Sequence, residues 1–140
     1  MWCWRRRRRR DEASGAPVLS PLEELQRTLV DLGPRIGREP AEVVCDRLAS
    51  AVRRFLERRS GEPAAEMTSH ELQVLARRSG WPEDVQTALL RVMRTADGAR
   101  FGRIPAGETE LSGARDLALQ LGNRLESFFA PDETAEEEVA

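Results

Sequence analysis

Residues 53–72, RRFLERRSGEPAAEMTSHEL, constrain the chain most, because they read as the end of one helix, a break, and the start of another. Gly61 stands where a helix C-terminus favours a residue that tolerates left-handed backbone angles. Thr68 and Glu71 have the T-x-x-E spacing of a capping box. In that arrangement the Thr hydroxyl accepts from the backbone N–H three residues on, and the Glu carboxylate reaches back to the Thr amide. Such punctuation specifies helices joined by short connections, and it specifies no chemistry.

The rest of the chain repeats the grammar. Ser20-Pro21-Leu22-Glu23 supplies an N-cap, a proline at the first helical position and an acid in the first turn. Leu22, Leu25, Leu29 and Leu32 follow on one stripe, which Gly33-Pro34 ends. Ile36, in the loop that leads to Pro40, is expected to tuck inward. A core helix is expected over 41–60, burying Val44, Leu48, Val52, Phe55 and Leu56 with Cys45 and Ala51 beside them. Arg53, Arg54, Arg58 and Arg59 crowd its last two turns, where positive charge suits the helix dipole.

A short helix over about 69–79 would bury Leu72, Leu75 and Ala76 and stop at Gly80. Trp81-Pro82-Glu83-Asp84 starts the next, to about 96, with Val85, Leu89, Val92, Met93 and Ala96 as its stripe. Asp97 to Arg103 reads as an irregular turn anchored by Phe101, and 104–110 as loop. A last helix over 111–129 would present Ala114, Leu117, Ala118, Leu121, Leu125 and Phe128, and Pro131 ends it. Period-2 alternation is nowhere sustained, so the fold class is all-α: a small bundle of about five helices, with a disordered basic N-terminus and an acidic disordered tail. The expected organisation is a basic juxtamembrane segment and linker (1–19), a helical domain (20–130) and the tail (131–140).

Composition sets limits on function. One domain with tails suits 140 residues, and 40% hydrophobic with 33% charged residues implies a modest core under a well-solvated surface. The net charge of -2 conceals a polar layout. Trp2 and Trp4 precede six consecutive arginines, Arg5, Arg6, Arg7, Arg8, Arg9 and Arg10, while Asp132, Glu133, Glu136, Glu137 and Glu138 lie at the other end. All 22 basic residues are arginine. A GC-rich bacterial genome would give that usage, and so would selection for phosphate recognition. Cys3 and Cys45 are too few for a disulfide framework, so a reducing compartment is the expectation. No window reaches the 18 or so apolar residues of a membrane span, and no apolar region follows the basic run as in a secretory leader. The tryptophan-to-arginine join nonetheless has the pattern of a positive-inside anchor at the end of a span lying upstream. A nucleic-acid-binding arm and a plain disordered terminus are the other readings of that segment.

Catalytic constellations are not evident. His70, the single histidine, lies near the start of a capped helix, and with two distant cysteines it makes no zinc spacing. Cys45 falls on a buried stripe with no histidine beside it in sequence. Glu83/Asp84 and Glu108/Glu110 suit a helix N-terminus and a solvated loop. No lysine exists to complete a phosphate loop. We therefore expect no enzymatic activity and no cofactor. Nucleic-acid binding is the competing class: helices 41–60, 69–79 and 82–96 with the Gly/Arg turn have a helix-turn-helix order, and Arg91, Arg94, Arg100 and Arg103 would meet phosphates. Against it, Glu83 and Asp84 open the would-be recognition helix and the phosphate backbone repels them. With the arginine run set aside, 16 of the 22 basic residues face 24 acids.

Arg53-Arg54-Phe55-Leu56, Gly61, Ala64 or Ala65, and Glu66-Met67-Thr68-Ser69-His70-Glu71-Leu72, followed by Asp97-Gly98-Ala99-Arg100-Phe101-Gly102 and Ser127-Phe128-Phe129, resemble the cytoplasmic helical region of Bat-type aerotolerance proteins. The likeness covers about residues 41–129 and extends to related bacterial inner-membrane proteins of unknown function. The chain departs from that family in lacking the span and the extracytoplasmic β-domains. The resemblance implies an assembly role beside a MoxR-type AAA+ ATPase and von Willebrand factor A proteins, at the cytoplasmic face of the inner membrane. The expected function is thus a non-enzymatic adaptor or scaffold for protein partners, with a helix-turn-helix-like nucleic-acid binder as the alternative. The expected partner surface comprises Arg53, Arg54, Arg58, Arg59, Arg77, Arg78, Arg100 and Arg103. Asp97 is expected to shape its turn by accepting backbone N–H groups.

Overall fold

The computed structural model describes residues 18–100 and 107–129. Five helices carry them: α1 (Pro21–Leu32), α2 (Ala41–Ser60), α3 (Ser69–Arg78), α4 (Glu83–Arg100) and α5 (Glu108–Phe129). Short 3-10 turns at Gly33–Arg35 and Ala64–Glu66 lie in the first two connections. No strand occurs among the described residues.

The local signals act as their chemistry requires. The Ser20 hydroxyl accepts from the Glu23 amide at 3.2 Å. Thr68 Oγ1 accepts from the Glu71 amide at 3.2 Å, and Glu71 Oε1 accepts in return from the Thr68 amide, so the capping box is complete. Gly61 ends α2 at φ +81° and gives its N–H to the Glu57 carbonyl. Beyond α3, Gly80 has φ +69°; its N–H bonds the Arg77 carbonyl while the Trp81 N–H bonds that of Ala76. That pair of bonds is a Schellman ending, and it delivers the Trp81 ring into the core.

The hydrophobic stripes meet in one core. α2 packs against α1, α4 and α5; α5 also packs on α4 and α1; α3 lies at the edge against α4. Leu25, Leu29, Leu48, Val52, Phe55, Leu56, Leu72, Leu89, Met93, Leu121 and Leu125 are sealed from solvent. Ile36 tucks against this core, half-buried. Among the described residues no polar or charged side chain is fully buried.

Four expectations change. α4 continues through Asp97 to Arg100 where an irregular turn was expected, because an isolated glycine costs a helix only about 1 kcal/mol and no proline intervenes. α5 begins at Glu108, within the expected loop. Two acids in its first turn meet the positive end of the helix dipole, and the Leu111 amide bonds the Gly107 carbonyl. At its other end Phe128 is 37% exposed and Phe129 packs on the core instead. The residue step of 100° turns Phe129 toward the buried Trp81, which it meets edge-on with centroids 6.4 Å apart. Among the described residues Asp97 accepts no backbone N–H; its Oδ2 takes the Ser69 hydroxyl at 2.6 Å and ties α4 to the start of α3.

Candidate functional site

The expected arginine surface divides sharply. All four arginines near the end of α2 are occupied within the bundle. Arg53 Nε donates to the Met67 carbonyl at 3.2 Å and so fastens the chain just before α3. Arg54 and Arg58 share Glu24 of α1, with Arg58 Nη1 at 2.9 Å from Oε2. Arg58 Nη2 also donates to the Leu19 carbonyl at 2.7 Å, where the chain enters the bundle. Arg59 Nε stands 3.0 Å from Glu126 Oε2 on α5, near in distance but out of line for a hydrogen bond. Its guanidinium covers the Phe129 ring.

Arg77 and Arg78 differ from these. Both are exposed in the last turn of α3, and neither pairs with an acid among the described residues. With His70 and Val74 they form one outward stripe at steps of three or four residues, the spacing that aligns side chains on a helix face. Val74 is 40% exposed, an apolar patch set between the imidazole and the two guanidinium groups. The helix that bears them is fixed at both ends, by the capping box with the Ser69–Asp97 bond and by the Schellman turn. Arg100 closes α4 in its backbone. Arg103 and Phe101, and the expected membrane-proximal Trp2, Trp4 and Arg5 to Arg10, lie outside the described residues.

Elsewhere the chemistry is structural. Cys45 is buried against α4, and burial, followed by the nearby Asp46 charge, pushes its thiol pKa up. The thiol remains protonated at neutral pH and is a poor nucleophile. Among the described residues no three His, Cys, Asp or Glu side chains cluster as a metal site, and no helix is long and apolar enough to cross a membrane. A cleft of about 410 Å³ between α1 and α2 is lined by Asp31, Arg35, Asp46, Arg47 and Arg54, charges of both signs that favour no single ligand. The exposed Asp84 at the α4 N-terminus bonds Arg124 of α5 at 2.7 Å, and that bond holds its carboxyl below the usual range.

The candidate site is thus a solvent-facing helix, capped at both ends, in an all-α bundle, with a basic and apolar stripe. Sequence reasoning named Arg77 and Arg78 but missed Val74, which lies on the face of α3 opposite the buried Leu72, Leu75 and Ala76. Comparison with known proteins finds no family model, no curated protein and no solved structure that matches this chain.

Proposed function

We propose that this bundle is a non-enzymatic adaptor domain that engages protein partners through the outer face of α3. The observation that carries the reading is the division among the expected arginines: Arg53, Arg54, Arg58 and Arg59 are spent on internal contacts, while Arg77 and Arg78 stand free of any described partner beside an exposed Val74. Arginine is the charged residue that protein interfaces enrich. A helix capped at both ends also presents it at little cost in conformational entropy. In line with the Bat-type resemblance, the domain would stand at the cytoplasmic face of a bacterial inner membrane, anchored from its N-terminal side. Its partners would be a MoxR-type AAA+ ATPase or a von Willebrand factor A protein.

The test is capture of partners by the tagged full chain from lysate of the source cell at about 0.15 M salt, with and without nuclease, identified by mass spectrometry. Recovery of an ATPase or von Willebrand factor A protein regardless of nuclease supports the adaptor reading. Recovery that nuclease abolishes transfers the function to nucleic-acid binding.

A further inference from the structure

The described part of the chain ends against the turn that follows α3. Phe129, the last described residue of α5, meets Trp81 edge-on, and Trp81 lies three residues beyond Arg78. Phe129 is succeeded by APDETAEEEVA, eleven residues with Asp132, Glu133, Glu136, Glu137 and Glu138 and no basic group. An extended chain advances roughly 3.4 Å per residue, so Asp132 reaches about 10 Å from Phe129 and Glu138 about 30 Å. α3, with ten residues, is about 15 Å long. The segment is long enough to lie along the whole helix, and its charge is opposite to that of the two arginines it would meet.

We infer that residues 132–138 dock on Arg77 and Arg78 and cover the outer face of α3. The consequence for binding rests on the adaptor reading: the segment acts as an internal competitor, and the partner group that displaces it is an acidic peptide segment. Charge-assisted contacts between carboxylates and guanidinium groups supply the attraction. Tethering supplies a local concentration that a free peptide must exceed. The same attraction weakens as salt rises, because both partners are solvent-facing. The arginines of 5–10 are the competing basic target offered by the sequence.

The experiment is nuclear magnetic resonance of the full ¹⁵N-labelled chain. It is compared with a variant carrying Asp132→Asn, Glu133→Gln, Glu136→Gln, Glu137→Gln and Glu138→Gln. At about 0.05 M salt the Arg77 and Arg78 Nε–H and the amides of 74–80 should differ between the two, and the difference should collapse at about 0.5 M. A peptide of residues 130–140 added to the neutralised variant should restore the wild-type positions. The wild-type chain should need roughly tenfold more of that peptide for saturation. Superimposable spectra at low salt overturn the proposal. It is equally overturned if the amides of 132–138 ignore Arg77→Gln/Arg78→Gln and move instead when Arg5 to Arg10 become glutamine. No partner protein enters the measurement, so its failure is separable from failure of the adaptor reading.

Discussion

Arg59 lies over the ring of Phe129, 5.1 Å from guanidinium carbon to ring centroid, and closes one end of the bundle. The same ring meets Trp81 and Phe128 edge-on, at 6.4 and 5.6 Å. One half-buried phenylalanine therefore joins the end of α2, the turn after α3 and the end of α5. Cation–π and aromatic pairs add to its area burial. Phe129→Ala should destabilise by about 2–3 kcal/mol, and Phe128→Ala by less than about 1 kcal/mol. Urea unfolding followed by circular dichroism measures both, and equal losses would remove Phe129 from this role.

Two glycines of α5 should respond oppositely to alanine. A Cβ on Gly122 would stand 2.5 Å from Leu25 Cδ2 and 3.3 Å from Leu22 Cδ1, where α1 and α5 approach closely. Leu25 is itself sealed in the core and has little room to move. A Cβ on Gly113 meets nothing within 4 Å. Gly113→Ala should therefore stabilise by about 0.5–1 kcal/mol through helix propensity. Gly122→Ala should destabilise by about 1–2 kcal/mol as overpacking outweighs the same gain. Thermal midpoints that move in the same direction would refute the close approach.

The Thr68 cap carries a definite cost. Thr68→Ala removes the acceptor of the Glu71 amide and the hydroxyl that Glu71 also binds, at 3.0 Å. A loss of about 1 kcal/mol is expected. Thr68→Ser should recover most of it, and an unchanged urea midpoint for Thr68→Ala would remove the assignment.

Asp84 should titrate below the ordinary aspartate value, because Arg124 bonds its ionised form. A depressed folded-state pKa means that the pair's contribution is present above the unfolded value, near pH 4, and is lost as pH falls through the folded one. Carboxyl resonances of Asp84 followed below pH 5 give the midpoint. Arg124→Gln should raise it toward the ordinary value; a midpoint indifferent to that substitution would show that the pair does not persist in solution.

The bundle was legible from sequence where its causes are local. Gly61, the Thr68–Glu71 box and the leucine stripe of α1 act within a few residues, so order and spacing reveal them. The extension of α4 and the early start of α5 were hidden, because Gly98 and the acids at 108–110 suit helix ends and loops alike. Trp81 and Phe129 were missed because their burial depends on each other across 48 residues. The arginines show the difference most plainly. The partners of Arg58 and Arg59 are Glu24 and Glu126, on other helices, and nothing near residue 58 marks them as paired. Arg77 and Arg78 have the same local pattern, and only the placement of α3 at the edge sets them apart.

The most direct measurement is recovery of the captured protein on three full-length baits: wild type, Arg77→Glu/Arg78→Glu, and Arg47→Glu as an exposed arginine on another helix. Labelled peptides quantify it by mass spectrometry in nuclease-treated lysate. An adaptor acting through α3 loses about tenfold or more of its partner in the double variant and keeps it in Arg47→Glu. Equal recovery on all three baits would contradict the assignment of α3 as the docking face.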